Sequence, residues 1–263
     1  MTNNKHQAMV KLSETSVKFE GPRAWKRLGL IALATDLTSE RDFARLLPHM
    51  QAGLYTTRVA FENPATPENL RHMAPRLTTA ADLILPGEPL DAICYSCTAA
   101  SVIIGEDAVT KAIQDSRPGV PVITPSGATL EAFSAMGVNR IAILTPYLVE
   151  TSLPMADYFS QHGLEVTQFD CFGLDDDRIM ARVSHDSIIE AACKLNGPEV
   201  EAIFISCTGL SAVPVIAKIE ALTGKPVVTS NQASAWAMMR HSGLDHRPQG
   251  YGRLYDLGLP SVN

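Results

Sequence analysis

Two copies of the tripeptide Ser-Cys-Thr lie 110 residues apart in closely similar surroundings, and each copy supplies a thiol. The first contains Cys97 within residues 91–101, and the second contains Cys207 within residues 201–211. Over ten aligned positions that include the tripeptides, six residues are identical. In each copy a short apolar run comes before the tripeptide, and small residues with a helical pattern come after it. This arrangement predicts a thiol at the carboxyl end of a strand, with a helix beginning directly after it.

The two predicted thiols have the chemistry needed for proton transfer. The first amide groups of a helix lack partners within the helix and, with the helix dipole, favour an anion. We therefore expect a lowered pKa for either cysteine, and a substrate carboxylate on the same amides and on the Thr98 and Thr208 hydroxyls. Two facing thiols form a relay, in which one takes a proton from, or adds to, one face of a planar carbon and the other protonates the opposite face. The alternative is that an ancestral duplication kept two small core residues.

The elements that would position these thiols are repeated once along the chain. Apolar runs typical of buried parallel strands alternate with helix starts, and Gly119-x-Pro-Val-x-Thr124 recurs as Gly224-x-Pro-Val-x-Thr229. Strands separated by helices indicate parallel sheets with right-handed crossovers. We predict an α/β fold of two pseudosymmetric domains, each a four-stranded parallel sheet flanked by helices, with the active site in the cleft between them. The predicted units are an N-terminal arm (1–27), a first α/β domain (28–138), a second α/β domain (139–245) and a C-terminal tail (246–263).

The composition excludes several classes of protein. The chain has 263 residues, of which 46% are hydrophobic, enough for the cores of two small domains. No apolar run approaches the roughly 20 residues that span a bilayer, and a net charge of −6 without a basic stripe argues against nucleic-acid binding. Five cysteines, an odd number, and a polar N-terminus without the apolar core of a signal peptide predict free thiols in the cytoplasm. The seven histidines lack metal-ligand spacing and no glycine-rich phosphate loop is present, so we expect no metal and no cofactor.

On these residues the chain resembles the aspartate/glutamate racemase superfamily. Within it, the chain is most similar to the branch that contains maleate cis-trans isomerase, arylmalonate decarboxylase and the bacterial ectoine-utilisation proteins. The resemblance covers about residues 28–245 and depends on the two Ser-Cys-Thr segments, on Thr145-Pro-Tyr147 and on Thr229-Ser-Asn231-Gln232. It implies two α/β domains with the active site between them and no cofactor.

The resemblance also implies roles for individual residues. In the isomerases the first cysteine attacks the double bond as a thiolate and the second protonates the adjacent carbon, which makes Cys97 the nucleophile or base and Cys207 the acid. Tyr147, Thr98 and the backbone around Thr208 match carboxylate-binding positions. In the decarboxylases only the second thiol is present, and Cys97 stands where they have a glycine, which weakens a simple decarboxylase interpretation.

One position departs from the pattern of the maleate isomerases. They carry an asparagine after the first strand that holds a substrate carboxylate, whereas the residue nearest that place here is Asp36. An aspartate would repel a second carboxylate unless protonated and would attract an ammonium group, which favours an amino-acid-like acid over maleate. The alternative is that Asp36 only caps a helix. Asn231, after the last predicted strand, is a further predicted substrate-binding residue.

The function predicted from the sequence is that of a cofactor-independent isomerase or racemase acting next to the carboxylate of a small acid. A cofactor-free decarboxylase of a malonate-type acid is the alternative among enzymes. A binding protein of the periplasmic type also has two α/β domains and a cleft, but the paired thiols argue against it. We expect a small carboxylic-acid substrate, no nucleic-acid or membrane partner, and a homo-oligomer of a size that the sequence does not fix.

Overall fold

The fold is built from two parallel sheets that have the same strand order. The computed structural model describes residues 10–19 and 25–260. The sheets have the orders β2-β1-β3-β4 and β6-β5-β7-β8, and every pair of neighbouring strands is parallel. The strands are β1 (Lys26–Leu33), β2 (Ala52–Val59), β3 (Ala92–Ser96), β4 (Val122–Ile123), β5 (Arg140–Tyr147), β6 (Glu165–Leu174), β7 (Ala202–Ile205) and β8 (Val227–Thr229). The predicted class, an α/β fold with two four-stranded parallel sheets, is confirmed.

Helices connect the strands on both sheets, as parallel pairing requires. They are α1 (Ser39–Leu46), α2 (Pro67–Arg71), α3 (Leu77–Asp82), α4 (Thr98–Ile104), α5 (Glu106–Gln114), α6 (Pro125–Met136), α7 (Val149–Gln161), α8 (Asp177–Met180), α9 (His185–Lys194), α10 (Ile216–Thr223) and α11 (Ser230–His241). The strand-to-helix turns carry side-chain caps at equivalent places: Thr124 accepts the amide of Gly127, and Thr229 accepts that of Gln232. These caps fix where α6 and α11 begin.

The packing of α6 against α11 joins the two sheets into one hydrophobic core. The ring of Phe204, on β7, makes an edge-to-face contact with Phe133 of α6 at 6.3 Å between centroids. It makes a second such contact with Phe159 of α7 at 5.3 Å. The central strands β1, β3, β5 and β7 are almost fully buried, because helices cover both of their faces. This shared core holds the carboxyl ends of both sheets toward each other.

The predicted boundaries of arm, domains and tail stay predictions, although the structure shows what several of these segments do. Residues 10–19 form no helix or strand and are exposed, and β1 begins at Lys26 inside the predicted arm. Residues 1–9 and 20–24 of that arm, and 261–263 of the tail, lie outside the described residues. The tail packs on the core through the buried Leu254 and Tyr255 of a 3₁₀ helix. Among the helices of residues 10–19 and 25–260, none has the length and apolar composition needed to cross a bilayer.

Candidate active site

The two predicted thiols lie in the wall of one cavity between the domains. Cys97 follows β3 and Cys207 follows β7, and both side chains are buried. The cavity has a volume of about 30 Å³, where about 10–15 Å³ is enough to hold one water molecule. Both domains contribute to its lining: Leu33, Asp36, Leu37, Phe61, Ala65, Leu70, Cys97, Ala99, Tyr147, Asp177, Met180, Cys207, Thr208 and Gly209.

Cys97 is the residue before the first turn of α4. Its carbonyl accepts the Ser101 amide at 3.0 Å and the Ser101 hydroxyl at 2.7 Å, which anchors the loop on the helix. Burial raises the pKa of the Cys97 thiol well above its ordinary value, and an amide contact from Ala100 offsets this only in part. The nearby charges of Cys207 and Asp36 raise the pKa further. The expectation of a lowered pKa is therefore wrong for Cys97, because desolvation outweighs the helix start.

Cys207 lies in a different backbone setting from Cys97. Its φ of 116° is in the left-handed region, which residues with a side chain seldom adopt. The predicted helix directly after Cys207 is also wrong. A turn follows, and helical structure resumes only at the 3₁₀ helix Val213–Val215, where Pro214 suits a helix start and not an interior.

The sulfur of Cys207 has more hydrogen-bond donors than that of Cys97. The Gly209 amide donates to it at 3.2 Å, and the Tyr147 hydroxyl and the Leu210 amide also donate. Burial nevertheless raises the pKa of Cys207 to about 11. Both thiols are therefore protonated near neutral pH, and Cys207 is the one that the surroundings help more toward the thiolate.

The threonine after each cysteine ties its loop to the other domain. The Thr98 hydroxyl donates to the Ser230 hydroxyl at 2.8 Å, and that oxygen accepts the Cys207 amide at 3.0 Å. The Thr208 hydroxyl donates to the Ser96 carbonyl at 3.1 Å. Thr208 lines the cavity, whereas Thr98 lies behind its wall. These reciprocal bonds fix the two thiol loops relative to each other, and the predicted contact of both hydroxyls with a substrate carboxylate stays a prediction.

Tyr147 and Asn231 occupy different parts of the site. Tyr147, at the end of β5, lines the cavity and donates to Cys207, and burial raises its pKa so that its hydroxyl keeps its proton. Asn231 is buried in the first turn of α11 behind the cavity, where its amide nitrogen donates to Asp42 at 3.0 Å and to the Thr208 carbonyl at 2.8 Å. In this structure Asn231 holds the Thr208 loop against α1 and does not face the cavity.

Asp36 both lines the cavity and caps a helix. Its carboxylate accepts the amides of Thr38 at 2.7 Å and Ser39 at 2.9 Å and the hydroxyl of Ser39 at 2.5 Å, at the start of α1. Burial raises the pKa of Asp36, and these hydrogen bonds act in the opposite direction. The two interpretations offered for Asp36 are therefore compatible, since the residue that positions α1 also presents negative charge to the site.

Asp177 is a cavity residue that the sequence analysis missed. It is the first residue of α8, and its carboxylate accepts the side-chain amide of Asn63 at 2.8 Å and the hydroxyl of Thr35. Asn63 and Thr35 belong to the first domain, so this carboxylate crosses from one domain to the other. The run Asp175-Asp-Asp177 reads as a helix start, and Asp176 does cap α8 by accepting the Arg178 amide. The signal that could have identified Asp177 from the sequence is its position after the end of β6, at the same edge of the sheet as Cys207.

The remaining lining is largely apolar, and its charged members are acidic. Leu33, Leu37, Phe61, Leu70 and Met180 supply most of the side-chain surface, and no lysine, arginine or histidine lines the cavity in the part of the chain that the structure describes. Across the same described residues, no group of three or more His, Cys, Asp or Glu side chains is placed to hold a metal ion. The site offers thiols, carboxylates and hydroxyls for chemistry.

Comparison with known proteins gives one consistent group of relatives. A family described as arylmalonate decarboxylase matches residues 76–255. A maleate isomerase of Pseudomonas putida is 29% identical over 245 residues, covering 87% of this chain and 96% of the relative. An arylmalonate decarboxylase of Bordetella bronchiseptica is 32% identical over 153 residues, covering 57% of this chain and 63% of the relative. These likenesses confirm the branch that the two thiol segments predicted.

Solved structures show the same architecture. A Nocardia farcinica maleate cis-trans isomerase mutant with a covalently bound succinylcysteine intermediate has a TM-score of 0.81 and 22% identity, over 88% of this chain and 98% of that chain. A liganded arylmalonate decarboxylase mutant has a TM-score of 0.79 and 26% identity, over 88% of this chain and 99% of that chain. At 22% sequence identity, the likeness to the maleate isomerase structure establishes the fold alone.

Proposed function

This chain belongs to the arylmalonate decarboxylase family, and on that premise we propose that it is a cofactor-independent isomerase or racemase of a small carboxylic acid. The observation that carries the proposal is the pair of buried thiols, Cys97 and Cys207, in the wall of one cavity and on loops from opposite domains. A carbon held between them is accessible to one sulfur from each face. This is the arrangement that proton removal and return on opposite faces requires.

The proposed reaction moves one proton off the substrate and one proton onto it. One sulfur, as the thiolate, removes the proton next to the carboxylate or adds to a double bond, and the other, as the thiol, delivers its proton to the opposite face. The intermediate carries its charge as an enediolate on the carboxylate. Tyr147 keeps its proton and lines the same cavity, so its hydroxyl is a donor available to that charge. The family relation supports Cys97 as the nucleophile or base and Cys207 as the acid, and in that assignment the donors to the Cys207 sulfur stabilise the thiolate that forms once Cys207 has given up its proton.

Entry of a substrate requires the cavity wall to move. A volume of about 30 Å³ has room for about two water molecules, and a small organic acid is larger than that. Phe61, Ala65 and Leu70 cover the cavity from the first domain, and Met180 covers it from the second. These side chains are apolar, and Ala65 is also tied to the second domain, since its amide donates to the Asp175 carbonyl at 2.7 Å and its carbonyl accepts the Thr151 hydroxyl at 2.8 Å. Opening on this side therefore breaks hydrogen bonds but no buried ion pair.

A cofactor-free decarboxylase of a malonate-type acid is the second candidate. The apolar lining of the cavity suits the loss of carbon dioxide, because removal from water favours the conversion of a carboxylate into a neutral gas. In that reaction Cys207, with Tyr147 beside it, would protonate the enediolate and Cys97 would not be needed. The presence of a second buried thiol in the same cavity is what favours the isomerase or racemase.

Deuterium exchange separates these candidates. The protein is incubated in heavy water with a panel of small mono- and dicarboxylic acids, and proton NMR follows the signal next to each carboxylate while carbon dioxide is measured in parallel. Exchange or isomerisation without carbon dioxide, lost in both Cys97→Ser and Cys207→Ser and retained in Cys193→Ser, is the expected result. Carbon dioxide release that survives in Cys97→Ser would establish the decarboxylase instead. Binding of an acid with no chemical change would favour a binding protein and contradict both enzyme proposals.

Two further parts of the proposal concern the surroundings of the enzyme. We expect it to act in the cytoplasm, where its five cysteines stay reduced, and to assemble as a homo-oligomer. Sedimentation velocity over a range of protein concentrations measures the assembly, and a monomer at all concentrations would contradict it.

A further inference from the structure

The charges of the cavity wall are of one sign. Asp36 from the first domain and Asp177 from the second both line it, and no cationic side chain of the described residues lines it with them. Arg58 lies behind the Asp36 loop, but its guanidinium donates to the backbone carbonyls of Leu33 and Asp36 and pairs with Glu40. Arg178, next to Asp177, is exposed, and its guanidinium is held by Asp176. Both cations are therefore committed to groups outside the cavity, and the charged groups that a ligand meets there are carboxylates.

The carboxylate of Asp177 is held in place and has acceptor capacity to spare. One oxygen accepts from Asn63 and the other from Thr35, and both donors come from the opposite domain. A carboxylate offers about four lone-pair positions, so these two bonds leave room for a further donor. Asp177 is buried, and a buried carboxylate with free acceptor positions is best satisfied by a cation.

A dicarboxylate does not fit this distribution of charge. The first amides of α4, at Thr98 and Ala99, have no partner within the helix and provide donors for one carboxylate, but a second carboxylate would lie in the small, desolvated space beside Asp36 and Asp177. Both aspartates would repel that second carboxylate strongly, because the repulsion between like charges is large where water is excluded. The other side chains around the cavity, such as Leu37, Phe61 and Leu70, are apolar and do not offset that repulsion.

We propose that the substrate of this site is a small amino acid with a single carboxylate and an apolar side chain, whose ammonium group binds Asp177. The inference rests on the proposed function, since it names the acid on which the two thiols act. Asp36 adds to the negative field that attracts the ammonium group, and Leu37, Phe61 and Met180 receive the side chain. The same arrangement disfavours maleate, malonates and the acidic amino acids, all of which carry a second carboxylate.

The ammonium group would also activate the thiols. The charge of Asp36 raises the pKa of both cysteines, and that of Asp177 raises the pKa of Cys97. A cation placed among these groups acts in the opposite direction and favours a thiolate. In the reaction, the thiolate of one cysteine takes the proton from the carbon that bears the ammonium and carboxylate groups. The thiol of the other gives its proton to the opposite face, so that the mirror-image acid leaves and the negative charge has moved to the second sulfur.

Calorimetric titration tests the charge preference separately from turnover. Racemisation of 2-aminobutanoate or aspartate has almost no heat, and heat from turnover of maleate or ethylmalonate continues after each injection and is separated from the heat of binding by its time course. Racemic 2-aminobutanoate, aspartate, ethylmalonate and maleate are titrated into the wild-type protein, Asp177→Asn and Asp175→Asn. Asp175 is the matched control, since it belongs to the same acidic run but is exposed. We expect 2-aminobutanoate to bind at least about tenfold more tightly than the three dicarboxylic acids. Asp177→Asn should weaken it by about 10- to 100-fold, and Asp175→Asn should leave it unchanged.

The outcomes distinguish this inference from the proposed function. Tighter binding of maleate or ethylmalonate than of 2-aminobutanoate, or an equal effect of Asp177→Asn on all four acids, overturns the inference. The deuterium-exchange experiment then still decides whether the protein is an isomerase or racemase of another acid. Conversely, Asp177-dependent binding of 2-aminobutanoate supports the inference even if no acid exchanges deuterium, in which case the proposed function is the part that fails.

Discussion

Replacement of Asp42 by asparagine should stabilise this protein at neutral pH. Asp42 is a fully buried residue of α1, where it accepts the amide of Asn231 at 3.0 Å and pairs with Arg45 at 3.2 Å. Burial is the largest influence on it and raises its pKa from 3.8 to about 6, with the nearby charge of Asp36 acting in the same direction. The folded protein therefore prefers the neutral form of this side chain, and asparagine is neutral at every pH.

The magnitude follows from the two pKa values. At about 1.4 kcal/mol per pH unit, a pKa of about 6 in the folded state against 3.8 in the unfolded chain corresponds to about 3 kcal/mol. Between these values the folded state binds more protons than the unfolded state, so stability falls as the pH rises from about 4 to about 6. The full cost is present above pH 7. Asp42→Asn should remove it there, and should gain less than about 1 kcal/mol at pH 4, where the folded carboxyl is protonated and the unfolded one is only partly ionised.

The assay is urea unfolding of both proteins at pH 7.5 and pH 4, followed by circular dichroism. Asp115→Asn is the control, because Asp115 is exposed and pairs with Lys111 on the surface of α5, where a substitution changes stability by about 0.5 kcal/mol or less. Asparagine at position 42 can still accept from Asn231, whereas the bond from Arg45 to the second oxygen is lost, and its half-exposed guanidinium can turn to water. A loss of stability at pH 7.5, or a gain of the same size at both pH values, would refute the assignment of Asp42 as a costly buried charge.

Three further predictions concern the thiol, the surface and the core. Tyr147→Phe removes a donor to the Cys207 sulfur, so deuterium exchange should slow by about 10- to 100-fold near neutral pH. Without that donor the pKa of Cys207 rises, so the alkaline limb of the pH–rate profile should move to higher pH. An unmoved limb would contradict this role of Tyr147. The hydrogen bond to Glu131 raises the pKa of His241, so the pair should stabilise the fold below pH 6.5 and cease to do so as the pH rises through the folded pKa. The loss of stability in His241→Gln should therefore be larger at pH 6 than at pH 9, and equal losses would count against the pair. Phe204→Ala should cost about 3–5 kcal/mol in urea unfolding, because its ring contacts both α6 and α7; a cost below 1 kcal/mol would show that the joint between the sheets is held elsewhere.

The fold was largely readable from the sequence because its signals are local. Continuous apolar runs, helix starts and their repetition predicted eight parallel strands, and β7 begins and ends where its apolar run does. One error arose where individual residues override the local pattern. The segment after Cys207 has the same small residues as the one after Cys97, yet Pro214 and the left-handed backbone of Cys207 replace the expected helix by a turn.

By itself the sequence determined that each domain carries one thiol at the end of its third strand, because the positions and ends of strands along the chain follow from local apolar periodicity. Tertiary structure alone decided how those thiols behave. Burial is a property of the assembled domains, and it raises both pKa values where the isolated helix-start pattern suggested a decrease. Asp177 became a site residue in the same way, since only the docking of one domain on the other brings it against Asn63 and into the cavity wall. Local pattern fixes which atoms a chain can offer, and the packing of distant segments fixes their solvation and their neighbours.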